Sequence, residues 1–233
     1  MLEHLQPLLH GHPVCDEVDH AVLRSLSRQG LLTEALGHTD LSDCRVALES
    51  DTQVGNLLAE MLEAHVDVAI GVLDSQMIEG ADLVIACAGW LPDRSWRQID
   101  ELCIDTGVPW HRCYSEGRSW ALGPMTLPGR TASYVDTQAR ILAAARNPDE
   151  VKTYWDYLGS TAFLPPVPSV PAGAAMIIAG FLLADTLALL RGDEIPSLGH
   201  QIVINVDTLT VERHPVLPLP PVWTASSQES GAS

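Results

Sequence analysis

The apolar positions of this chain change period several times, and each change predicts an element. Asp16 can cap a helix whose stripe is Val18, Val22, Leu23 and Leu26, ending near Gly30, and a second short helix over 31–36 closes at Gly37. From Arg45 the texture differs. Arg45 to Ser50 reads as a strand, Thr52 to Glu63 as an amphipathic helix with Val54, Leu57, Leu58, Met61 and Leu62 inward, and Val66 to Val72 as a second strand. Asp82 to Cys87 is a continuous apolar run of the kind covered on both faces. Ser95 to Thr106 follows as a helix capped by Asp93 or Ser95, and Val108 to Tyr114 as a further strand. Strands alternating with helices at these lengths predict an α/β fold, a Rossmann-like and mostly parallel sheet with crossover helices.

Past Arg112 the pattern turns antiparallel. Arg112 to Ser115 and Trp120 to Leu122 flank the turn Glu116-Gly117-Arg118, and Tyr134 to Arg146 reads as a helix. Pro148, Pro165, Pro166, Pro168 and Pro171 mark 147–171 as an irregular or mobile crossover loop. The apolar run Ala172 to Leu190, interrupted by Asp185, falls short of the roughly 20 uninterrupted apolar residues a bilayer requires and reads as a buried core helix. Gln201 to Val206 and Leu209 to Arg213 close the sheet as an antiparallel hairpin. The organisation is therefore a helical segment over 1–40, an α/β domain over 41–223 and a disordered tail over 224–233.

Charge narrows the partners. Against 13 Lys+Arg stand 30 Asp+Glu, a formal charge of −17 over 233 residues, so nucleic-acid backbones and anionic membranes are poor general partners while cationic or peptidic ones fit. Lys152 is the only lysine. The five cysteines, Cys15, Cys44, Cys87, Cys103 and Cys113, are odd in number and lack CxxC spacing, and no secretory signal opens the chain, which predicts a reduced, cytoplasmic protein. His4, His10 and His12 lack a helically spaced acidic or thiol ligand to complete a metal site.

The order of elements, with "ADLVIACAGWLPD", the segment from Gly107 to Asp136 and the closing hairpin, resembles the ThiF/MoeB superfamily related to ubiquitin-activating enzymes. Within it the sequence is similar to the ThiF-like cyclodehydratase partner proteins of thiazole/oxazole and thiopeptide pathways, over roughly residues 40–223. The most specific piece is Gly123-Pro124-Met125-Thr126-Leu127-Pro128-Gly129-Arg130-Thr131, which looks like the family's GP-x-x-x-PG-R-T segment. The resemblance implies a homodimeric scaffold that holds a precursor peptide's leader against a YcaO-type enzyme, accelerating by effective concentration and orientation. The family's leader-recognition module is about eighty residues long, twice what precedes the first strand, so leader binding is expected to be lost or delegated.

Departures from the family pattern argue against intrinsic catalysis. Where adenylating members place a glycine-rich phosphate loop, this chain has Glu49-Ser50-Asp51-Thr52-Gln53-Val54-Gly55. Only Gly55 fits a glycine position in this vestigial loop of Ser50, Asp51, Thr52, Gln53 and Gly55, and the carboxylates of Glu49 and Asp51 oppose phosphate. The second strand ends in Gly71-Val72-Leu73-Asp74 without the family's ribose and Mg²⁺ signature, so ATP is not expected as a cofactor. Zinc is not expected either: Ser133-Tyr134-Val135-Asp136 and Pro220-Pro221-Val222-Trp223 stand where the family has CxxC pairs.

Remaining candidates each carry a plainer alternative. Trp90, Asp93 and Trp96 follow the third strand, at the carboxyl edge where open α/β sheets place ligands, and could contact a peptide or partner; they could equally cover the sheet edge or a dimer contact. Arg130 is a further candidate contact, and Arg130 and Arg140 could instead pair with surplus carboxylates at the surface. His111 could act as a base, but an alternating strand would point it to solvent. Cys87, Cys103 and Cys113 read as small apolar core residues. Asp185 is either near an exposed side of its helix or hydrogen-bonded at an interface.

Overall fold

In the computed structural model the described residues are 39–160, 167 and 169–220, together with Ser25. The chain divides into two units, Met1–Thr39 and Asp40–Ser233. The predicted helices of the first forty residues and the predicted tail lie outside the described residues.

Seven strands form one mixed sheet in the order β2-β1-β3-β4-β5-β6-β7. The strands are β1 (Arg45–Ser50), β2 (Asp67–Ile70), β3 (Leu83–Ala88), β4 (Trp110–Glu116), β5 (Ser119–Leu122), β6 (His200–Asn205) and β7 (Val211–Pro215). β2, β1, β3 and β4 pair in parallel, and β5, β6 and β7 are added antiparallel. The expected α/β class is therefore present, with a larger antiparallel share than a closing hairpin alone would supply. The chain leaves β1, runs through β2 at one edge and returns to β3 on the other side of β1. This reversal makes β1/β3 the point where such sheets open a crevice at the strands' carboxyl ends.

Helices cover both faces. α1 (Gln53–Leu62) and the long helix near the end of the domain, here α6 (Ala172–Arg191), lie on one face, with Val54, Leu58 and Leu62 packed among Ile178, Ala179 and Leu182. α6 is the one helix among the described residues long and apolar enough to cross a membrane, yet its small residues Ala174, Ala175 and Ala179 are buried against this core. On the other face lie α2 (Ser75–Glu79), α3 (Asp93–Thr106), α4 (Tyr134–Ala144) and α5 (Pro148–Ser160). They enclose a second core of Ile78, Trp96, Ile99, Trp110, Tyr134 and Trp155.

Two expectations are corrected here, and one unforeseen element is added. α2 is an extra turn of helix capped by Asp74, whose carboxylate accepts the Met77 N–H at 2.9 Å. α3 begins at Asp93 after Pro92, with no side-chain cap from Asp93 or Ser95. The predicted crossover loop over 147–171 instead contains α5. Pro148 occupies a first-turn position, where its missing N–H costs nothing, and Val151, Trp155 and Leu158 make an i, i+4, i+7 stripe toward the core.

The GPMTLPGRT segment is built into the sheet. Gly123 has φ 64°, and a Cβ there would meet the Met125 N at 3.1 Å and the His111 Cε1 at 3.2 Å, so glycine is required. Thr126 then exchanges two backbone bonds with Trp110. The Thr131 hydroxyl accepts the Leu127 N–H at 2.7 Å and donates to the Met125 carbonyl at 2.9 Å, closing the turn that Gly129 makes at φ 71°.

Candidate functional site

The carboxyl ends of β1, β2 and β3 enclose a cleft of about 400 Å³, within the size range of small-ligand sites. Its lining includes Glu49, Asp51, Ile70, Val72, Trp90 and Pro92. β1 ends at Ser50, and the turn into α1 is closed by its own side chains. The Ser50 hydroxyl accepts the Thr52 N–H at 3.0 Å and lies 3.0 Å from the Thr52 hydroxyl. Thr52 is the N-cap of α1, its hydroxyl accepting the Gly55 N–H at 3.1 Å. Gly55 makes this compact turn possible: a Cβ there would lie 2.0 Å from the Ser50 Oγ and 3.3 Å from the Cys87 Cβ.

The two acidic residues reach across the strand ends. Glu49 Oε2 accepts the Leu73 N–H just past β2 at 2.7 Å, and Asp51 Oδ1 accepts the Gly89 N–H just past β3 at 3.0 Å. Two backbone N–H groups past the neighbouring strands are thus held by carboxylates of this chain, which fixes negative charge beside the β1–α1 turn. Negative charge held there opposes a phosphate.

The predicted contact residues separate. Trp90 lines the cleft. Trp96 touches it only from below: it is 1 % exposed and sits at the centre of an aromatic box, edge-on to Trp110, Tyr114 and Tyr134 at 5.7–6.0 Å. It is a core residue rather than a partner contact. Asp93 turns inward as well, accepting the Tyr134 hydroxyl at 2.6 Å and the Arg97 Nε at 2.8 Å. Arg130 is exposed on the turn after Gly129, away from the cleft lining. Arg140 donates to the carbonyls of Leu217 and Pro218 rather than to a carboxylate.

The box holds a buried cation that sequence reasoning passed over. The Arg112 guanidinium lies 4.8 Å from the Trp110 ring centroid and 5.1 Å from that of Tyr134, and donates to the hydroxyls of Thr126 and Thr137 at 3.1 and 3.0 Å. Burial lowers its pKa to about 10, against the favourable field of Asp100. Asp100 in turn accepts the Trp110 indole N–H and the Tyr134 backbone N–H, both at 2.9 Å, at the start of α4. Burial pushes the Cys103 thiol up to about 12 and the Cys113 thiol well above its usual range, the chemistry of inert core residues.

His111 is the clearest correction, because it is 1 % exposed on the opposite face of β4, not turned to solvent. Both faces of β4 are covered, so alternation there selects between two cores. Its Nδ1 accepts the Arg112 N–H at 3.0 Å, which leaves Nε2 to donate to Asp185 Oδ2 at 3.0 Å. Asp185 also accepts the backbone N–H of Ser197 at 3.1 Å and its hydroxyl. Burial pulls the Asp185 pKa up, and the bonds from His111 and Ser197 outweigh it, holding the carboxyl below its ordinary range. The network is sealed inside the α6 face and pins that helix to β4 and to the turn before β6. Where the family pattern has its first CxxC pair, Ser133 and Asp136 form a reciprocal capping box for α4. Positions 221–223 of the second pair lie outside the described residues.

No family model and no curated protein matches this chain. Solved structures do. A heterocyclase in complex with substrate and cofactor aligns over 94 % of this chain and 32 % of its own length, at 16 % identity and a TM-score of 0.58. E. coli MccB with MccA-N7isoAsn aligns over 78 % of this chain and 67 % of its own, at 15 % identity and a TM-score of 0.56. The heterocyclase TruD aligns over 86 % of this chain and 33 % of its own, at 18 % identity and a TM-score of 0.55. The chain spans about a third of the length of the two heterocyclases. What is shared with these structures is the α/β fold.

Proposed function

We propose that this chain is a non-adenylating, ThiF-like partner subunit in the maturation of a ribosomally made, azole-containing peptide of the thiopeptide type. In this role it binds a precursor peptide, a YcaO-type cyclodehydratase, or both, and works as a homodimer. The observation that carries the reading is the β1–α1 turn. In a fold shared with heterocyclases and MccB, this turn carries the fixed carboxylates of Glu49 and Asp51 beside it and is closed by the Ser50 and Thr52 hydroxyls, an arrangement that opposes a bound phosphate. Such a protein contributes by holding partners together, raising the effective concentration of the reacting groups on an enzyme that supplies the activation.

Three measurements test this. Titration with ATP and Mg²⁺, followed by calorimetry, is expected to give no saturable heat; micromolar binding that Gly55→Trp abolishes would show a working nucleotide site. Affinity capture of the tagged chain from its native host is expected to recover a YcaO-type enzyme or a short Cys/Ser-rich precursor. Recovery of neither removes the maturation role. Light scattering at micromolar concentration tests the dimer, and a monomer there removes it.

A further inference from the structure

The same two carboxylates that exclude phosphate leave the cleft with a chemistry of its own. Glu49 and Asp51 each spend one oxygen on a backbone N–H, and among the described residues no hydrogen bond or ion pair reaches Glu49 Oε1 or Asp51 Oδ2. Each carboxylate is therefore fixed in direction with a free acceptor. The walls are apolar: Ile70 and Val72 form one lip and are 61 % and 78 % exposed, Val72 being the most exposed large hydrophobic residue described, while Trp90 and Pro92 form the other. Two anchored acceptors behind an aliphatic lip and an indole match one kind of guest, a cation on an apolar stem. A hydrated metal ion gains nothing from such walls, and the described residues hold no group of three or more metal-ligating side chains. A guanidinium suits both features, since its N–H fork pairs with carboxylates, its plane stacks on an aromatic ring and its methylenes cover apolar surface.

We propose that this cleft is a receptor for an arginine side chain of a peptide, with Glu49 and Asp51 taking the guanidinium, Trp90 stacking on it and Ile70 and Val72 covering its stem. The inference rests on the reading that the cleft holds no nucleotide; it does not depend on which pathway the peptide belongs to.

The test is calorimetric titration of the full chain with the acetylated, amidated tripeptide Leu-Arg-Leu and with its citrulline counterpart, which keeps the shape and loses the charge. The arginine peptide is expected to bind at least about tenfold tighter, the equivalent of one charge-assisted contact. Asp51→Asn and Glu49→Gln, which can still accept their backbone N–H groups, should each reduce that preference about tenfold while leaving the thermal midpoint close to that of the parent. If one variant loses its midpoint, the other decides. Equal affinity for the two peptides, no binding at millimolar concentration, or an unchanged preference in a folded variant overturns the proposal. ATP titrated in parallel separates the outcomes, because saturable nucleotide binding defeats the reading of the cleft itself, whereas silence toward both ATP and the arginine peptide defeats only the receptor.

Discussion

The cleft at the ends of β1–β3 and the aromatic box beneath it share Trp96, yet they are built in opposite ways. The cleft is held by short links between side chains and backbone around a compact turn, and its walls stand open to solvent. The box is closed: Trp96, Trp110 and Tyr134 bury their rings and a guanidinium together, and the GPMTLPGRT segment is hydrogen-bonded against it. The segment that carries the family likeness thus belongs to packing, and the segment that departs from the family belongs to chemistry.

Substitutions can break that contrast, and the largest effect belongs to the box. Trp96→Ala should destabilise the domain by about 3–5 kcal/mol in urea unfolding, as expected for deleting a fully buried indole. A stable Trp96→Ala protein with altered peptide binding would instead return Trp96 to the contact surface. On the α6 face, Asp185→Asn should cost about 3 kcal/mol at neutral pH by removing a buried carboxylate from donors built for it. Because the folded pKa lies below the ordinary carboxyl value, this contribution is complete above that ordinary value and fades as pH falls through the folded one. Parent and variant stabilities should converge in acid; a constant gap down to pH 2 would reject the assignment. The smallest effect is expected at the cleft. Gly55→Ala, by forcing a Cβ onto Ser50, should cost about 2 kcal/mol, most of it recovered in Ser50→Gly/Gly55→Ala. A single-variant cost exceeding that of Trp96→Ala would invert the comparison.

Much of this was legible in the chain. Periodicity placed β1, α1, β3 and the closing hairpin, because long runs of one period leave little choice. It failed where two rules competed. α5 was hidden because Pro148 was grouped with the later prolines, although Asp149 and Glu150 behind it are first-turn residues and Val151, Trp155 and Leu158 hold helical spacing. His111 was misplaced because strand alternation assigns faces but does not reveal that helices cover both of them. Arg112 escaped notice for the same reason, and Trp96, within the predicted helix, faces the core rather than the sheet edge it follows in sequence. At the cleft, the acidic character of 49–51 was visible from composition. That each carboxylate ties one neighbouring strand was not, since the backbone donors lie 24 and 38 residues away.

The sheet also has two ends. β2 is only four residues long, and β7 exposes Val211, Glu212, Arg213, His214 and Pro215 in succession. A short strand on one side, and on the other a charged one that ends in a residue with no N–H, make poor templates for an incoming strand. Both edges are therefore unfavourable sites for sheet-to-sheet pairing. A guest of the proposed arginine cleft would then be selected by the identity of its side chains, not by its readiness to become extended.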